Sequence, residues 1–130
     1  MKLIILSLSI LSVLCFSSCK KVAGPGGSST ITGKIHAKVY DGAGNLLTEY
    51  DIAKEDVFII YGSGSTAYDD KVKTSYDGTF KFNYLEKGSY QVFVYEKDPT
   101  VPSGVVVKIV DAQITSKKST VDLGTINIRK

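Results

Sequence analysis

The chain is short of the residues from which most small active sites are built. In 130 residues there is no tryptophan, one histidine (His36), two cysteines and one arginine (Arg129). A lone His cannot make an ordinary zinc site, nor complete a Ser-His-Asp set at any recognisable spacing. No Asp-x-Asp-x-Asp loop is present for calcium. Charge of one sign is also missing, since 16 Lys and Arg stand against 13 Asp and Glu spread along the chain, which argues against nucleic acid as a partner. No segment carries a helical period, and the length excludes most two-domain enzymes. No catalysis, cofactor or metal is expected, and His36 reads as a solvated surface side chain.

What the sequence has in quantity is one apolar block and many short alternating segments. Met1-Lys2 is followed by the block LIILSLSILSVLCF over residues 3–16, then by Ser17-Ser18-Cys19. A positive start, an apolar stretch of this length and small residues at its end form an export signal. The run is too short, and too interrupted by Ser7, Ser9 and Ser12, for a spanning helix. Small residues directly before Cys19 resemble the bacterial lipoprotein signal, in which the thiol is lipidated and the chain is cut just before the cysteine. Cys15, preceded by Val13 and Leu14, does not fit that pattern. The resemblance implies residues 1–18 as signal peptide and a lipid on Cys19 as membrane anchor. The mature chain then has neither a free thiol nor a disulfide, and a net charge of +2. The Ser-Ser-Cys ending resembles lipoproteins of the Bacteroidetes type, which implies the cell outer membrane and leaves the face of that membrane open, because Lys20 and Lys21 follow the cysteine.

Residues 19–30 read as the lipidated Cys and a flexible Gly/Ser tether. From residue 31 the period is two: Ile31, Gly33, Ile35, Ala37 and Val39 alternate with Thr32, Lys34, His36, Lys38 and Tyr40. Further strands are expected over 46–50, 57–61, 71–75, 79–85, 89–97, 105–112 and 120–129, with turn signals between them. Seven or eight short strands predict an all-β fold, a single antiparallel sandwich of two packed sheets over residues 31–130.

The stretch Asp77-Gly78-Thr79-Phe80-Lys81-Phe82, followed by Leu85, Gly88, Tyr90, Val92 and Val94, resembles the carboxypeptidase regulatory-like domain and the related Cna-B-like modules. Gly33, Val39 and Asp41-Gly42 resemble the start of such domains. The resemblance implies a prealbumin-like sandwich serving as a structural or binding unit. The zinc motif of the carboxypeptidase catalytic half is absent, and transthyretin-like hydrolases use several histidines with an arginine. The Lys-to-Asn cross-link of some Cna-B-like modules would draw on Lys34 or Lys38, Asn127 and Glu96. It is not expected, because both lysines alternate outward.

Eight tyrosines are the one conspicuous surplus. Period two turns Tyr90 inward with Val92 and Val94, and turns Phe93 and Tyr95 the other way, while Tyr40 shares the outer row with Lys38. Tyr40, Phe93 and Tyr95 are therefore the candidate ligand-binding residues, able to stack on a sugar ring or anchor a protein contact, or simply to pair across strands. The run Val105-Val106-Val107-Lys108-Ile109-Val110 is apolar on both faces, as suits either a covered central strand or an exposed edge. A non-enzymatic structural or protein-interaction module is the leading expectation, and an accessory carbohydrate-binding lipoprotein of a nutrient-uptake system the alternative. An envelope protein or polysaccharide is the corresponding partner. A hydrolase would require Asp69, Asp70, Asp77 and His36 to converge.

Overall fold

A computed structural model describes residues 22–130, so the apolar leader and Cys19 lie outside the described residues. Eight strands follow in order: β1 (Pro25–Tyr40), β2 (Leu46–Asp51), β3 (Asp56–Tyr61), β4 (Asp70–Lys73), β5 (Thr79–Leu85), β6 (Gly88–Lys97), β7 (Val105–Ile114) and β8 (Thr120–Arg129). They form two four-stranded sheets, a β-sandwich. The all-β expectation holds, and every expected strand is present.

β1 is the spine of the first sheet. Antiparallel β2 lies beside its C-terminal part, from His36 opposite Asp51 to Tyr40 opposite Leu46, and antiparallel β5 lies beside its N-terminal part. β8 runs along β1 in the same direction, from Thr30 opposite Thr120 to Lys38 opposite Arg129. This pair departs from an all-antiparallel sandwich. Parallel neighbours need a long crossover, and here everything between the first and last strands supplies it. The second sheet is wholly antiparallel in the order β4, β3, β6, β7, so β7 is an edge strand with one neighbour.

The inward rows meet in one core of Ile31, Ile35, Val57, Ile59, Phe80, Phe82, Leu85, Tyr90, Val92, Val94, Ile114, Ile126 and Ile128, with Ala37 and Ala112. Burying one such large apolar side chain contributes about 1.5–3 kcal/mol. Gly33 stands in the inward row because a Cβ there would come within 2.7 Å of the Phe80 ring, so the missing side chain is the space the ring fills.

One expectation is corrected. Residues 25–30, read from composition as tether, belong to β1 and dock on the domain. Ser29 is buried; its hydroxyl donates to the Ser116 carbonyl (3.0 Å) and accepts from the Ser119 N–H (3.2 Å). The buried Tyr90 hydroxyl donates to the Glu86 carbonyl (2.6 Å) and accepts from the Gly24 N–H (2.9 Å). At Gly27 a Cβ would sit 2.0 Å from the Leu85 carbonyl oxygen. The small residues that suggested flexibility are there because two backbones approach closely.

Candidate functional site

The outward side of the second sheet is where the structure departs most from an ordinary solvated face. Residues opposite one another in an antiparallel pair share a face. Phe58 of β3 is opposite Phe93 of β6, which is opposite Ile109 of β7; Tyr95 is opposite Val107, and Lys97 opposite Val105. Phe58 and Phe93 stack with centroids 4.9 Å apart and planes 10° from parallel. Tyr95 meets both edge-on, at 5.5 and 5.8 Å, and Tyr68 from the loop before β4 meets Phe58 edge-on at 4.9 Å.

Phe58, Ile60 and Phe93 thus form a second buried cluster, on the side away from the core. Around it stand Tyr95, Val105, Val107, Ile109 and Tyr68, each between 43% and 53% exposed. The result is a continuous apolar surface running onto the β7 edge. Lys71, opposite Phe58, and Asp111, opposite Gln91, stand at its margins, as does Lys97. Of the sequence-predicted residues, Phe93 and Tyr95 are brought together here. Phe93 is 6% exposed, so it supports the surface from below and Tyr95 presents it.

Tyr40 is elsewhere. It stands at the C-terminal end of β1 in the other sheet, half-buried, with the Arg129 guanidinium carbon 4.7 Å from its ring centroid. Beside it the free edge of β8 is covered by side chains of the second sheet. The Glu96 carboxylate accepts from the Arg129 N–H (3.2 Å), and the Lys108 ammonium donates to the Asn127 carbonyl (2.5 Å). Lys108 points inward from an edge strand, one of the ways a sheet edge is kept from pairing with another chain. Lys34 meets Asp51 instead of Asn127.

The expected set does not assemble: Asp69 and Asp70 belong to the second sheet, away from His36 on β1, and only the Asp77-Gly78 turn comes near it, abutting its partner Asp51. His36 shares a hydrogen between Nδ1 and Asp51 Oδ1 (2.8 Å), and its Nε2 lies 3.4 Å from Glu49, so both ring nitrogens are engaged across the β1–β2 pair. The Asp51 carboxylate, then Glu49, raises the pKa of His36. Asp69 accepts from the Tyr61 N–H (2.7 Å). Asp77 accepts from the Ser75 hydroxyl (2.6 Å) and the Thr79 N–H (3.1 Å), and these bonds pull its carboxyl down to about 2. These are turn-forming and cross-strand contacts. Among the described residues no group of three or more His, Cys, Asp or Glu side chains is placed to hold a metal ion.

Sequence reading missed Phe58 and Tyr68. The signal for Phe58 was present: in Asp56–Tyr61, DVFIIY, four consecutive apolar residues require cover on both faces of the strand, and all four are buried. Tyr68 lies in a Gly/Ser-rich connection with no periodicity to place it.

No protein-family model matches the chain, and no curated protein does. Among solved structures it is similar to a "putative carbohydrate binding protein" from Pseudomonas aeruginosa, at TM-score 0.49 and 9% identity over 83% of this chain and 92% of that one. It is also similar to a 9R-lipoxygenase from Cyanothece, at TM-score 0.44 and 14% identity over 76% of this chain and 16% of the lipoxygenase. Likenesses this distant say nothing about function.

Proposed function

We propose that this chain is a non-enzymatic envelope lipoprotein, held at the outer membrane by a lipid on Cys19, whose regulatory-like sandwich docks an envelope protein through the outward side of its second sheet. One observation carries the docking role. Tyr95, Val105, Val107, Ile109 and Tyr68 stay about half exposed over a floor of buried Phe58 and Phe93. An apolar surface that is built, supported and left open marks an interaction site. Rigid aromatic anchors at its centre and charged residues at its margin match the anatomy of a protein interface. The partner is expected to present an apolar surface of its own, since the centre of this face offers no charge.

The inward Lys108 disfavours a partner strand added at the β7 edge, so face-on docking is the favoured geometry. A photo-reactive residue at position 109 on intact cells tests this. It should trap one envelope protein, whereas the same residue at position 47, exposed on β2 of the other sheet, should not. Trapping of the same species from both positions would contradict face-specific docking. Loss of membrane association in a Cys19→Ala variant is the matching test of the anchor.

A further inference from the structure

One loop end of the sandwich gathers several cationic side chains around an aromatic ring. Lys2, Lys20 and Lys21 precede the described residues, so in the domain 13 basic side chains face 13 acidic ones. Two adjoining grooves of about 260 and 320 Å³ meet at the Tyr40–Arg129 contact. Between them they are lined by Lys38, Lys97, Lys108, Arg129 and Lys130 against Asp41 and Glu96. Five of the 13 cations therefore line one end of a domain with no net charge, four of them outside the Lys130–Glu55 ion pair.

Two further acids stand at this end: Glu55, which pairs with Lys130, and Asp98, which accepts from the Thr100 N–H and hydroxyl (2.9 and 2.6 Å) and whose carboxyl the Arg129 charge helps to lower. All of these anions are already engaged. Asp41 accepts from the Ala43 and Asn45 N–H groups (2.9 and 2.8 Å) to close its turn, and Glu96 accepts from the Arg129 N–H. Lys130 is paired with Glu55 (2.6 Å). The Arg129 guanidinium lies over the Tyr40 ring, which fixes its plane and leaves its N–H edge for a bidentate acceptor. Lys38 and Lys97 add charge on either side of that stack.

We propose that these grooves bind a carboxylate-bearing polysaccharide, with Arg129 taking one carboxylate and Tyr40 offering ring edge and hydroxyl to the sugar. Two adjoining grooves sharing one aromatic–guanidinium stack suit an acidic chain better than a single small anion. They are open, with polar and apolar surface in comparable shares and no enclosed apolar pocket of the kind that holds a peptide side chain. β1 runs roughly 40–50 Å, at about 3.3 Å per residue, from Pro25 to Tyr40, so this end of the sandwich lies far from the point where the described residues begin. The site is independent of the docking face, which lies along the second sheet.

The test is titration of the full chain in detergent with oligogalacturonate, followed by calorimetry, beside neutral galactan oligomers, polyglutamate and inorganic phosphate. Oligogalacturonate should bind at least about tenfold more tightly than the other three, and more weakly as salt is raised. Arg129→Gln and Tyr40→Ala should each weaken it by about tenfold or more. Arg129→Lys, which keeps the charge and loses the planar fork, should fall between. Leu47→Ala, on an exposed strand of the same sheet, should bind as wild type, and unchanged melting of each variant shows that the fold is retained. Equal binding by Arg129→Gln, or no oligogalacturonate binding, would overturn the proposal. Tighter binding of polyglutamate would overturn the assignment to a saccharide.

Discussion

Phe93 lies flat on Phe58 across the β3–β6 pair, and the two rings form the floor of an apolar surface on the side of the sheet that faces away from the core. The stack joins two central strands of the second sheet and lifts Tyr95 into solvent above it. Packing and recognition therefore separate by residue on this face. The first expected outcome follows from that division. Phe93→Ala should cost about 3 kcal/mol of unfolding free energy, as for other buried Phe truncations, whereas Tyr95→Ala should cost less than about 1 kcal/mol. Denaturant midpoints of the two variants check this, and equal costs would mean that Tyr95 belongs to the packed layer.

The docking of residues 24–30 on the domain gives a second prediction. Tyr90→Phe removes the hydroxyl that accepts from Gly24 and donates to Glu86, leaving buried backbone groups short of a partner at a cost of about 1–3 kcal/mol. Amide exchange should accelerate at Gly24 and through the start of β1. Gly27→Ala should act on the same segment by collision with the Leu85 carbonyl, at about 1–3 kcal/mol. Wild-type exchange rates in both variants would mean that this segment is not docked.

Much of the architecture could be read from residue alternation. Ile31 to Ala37 and Phe80 to Phe82 point as period two requires, because one covered face per strand leaves a clear pattern, and Tyr90, Val92 and Val94 keep the inward row of β6 although Phe93 is covered on the other face. The limits of the pattern are equally specific. Gly26, Gly27, Ser28 and Ser29 have the composition of a linker, and only the close approach of the Leu85 backbone explains them as strand. The parallel pairing of β8 with β1 is a long-range relation between strands some 90 positions apart, which local periodicity cannot encode. Tyr40 and Tyr95 share an outward phase but belong to opposite sheets, so alternation alone could not separate the loop-end groove from the docking face.

A pH dependence follows from His36. Its folded pKa is raised by Asp51 and Glu49, so its contribution is complete below its unfolded value of about 6.5 and is lost as pH rises through the raised folded value. Attachment of β2 to β1 should weaken across that upward interval, seen as lower amide-exchange protection factors over β2 after correction for the intrinsic pH dependence, and His36→Gln should abolish that residual dependence. Asp51, lowered by His36 and then Lys34, has the opposite sign: its contribution is present above about 3.8 and is lost as pH falls through the lower folded value. Constant β2 protection factors from pH about 6 to 9 would contradict the His36 role.

The most direct measurement of the central claim is capture from intact cells by tagged wild type and by Ile109→Lys, with Tyr40→Ala as a variant outside the face. Ile109 is 53% exposed, so the lysine should change stability by no more than about 0.5 kcal/mol while placing a charge at the centre of the apolar surface. Docking through this face predicts one envelope protein recovered with wild type and with Tyr40→Ala, and reduced more than about tenfold with Ile109→Lys. Equal recovery with Ile109→Lys, or capture only of further copies of this chain, would contradict it.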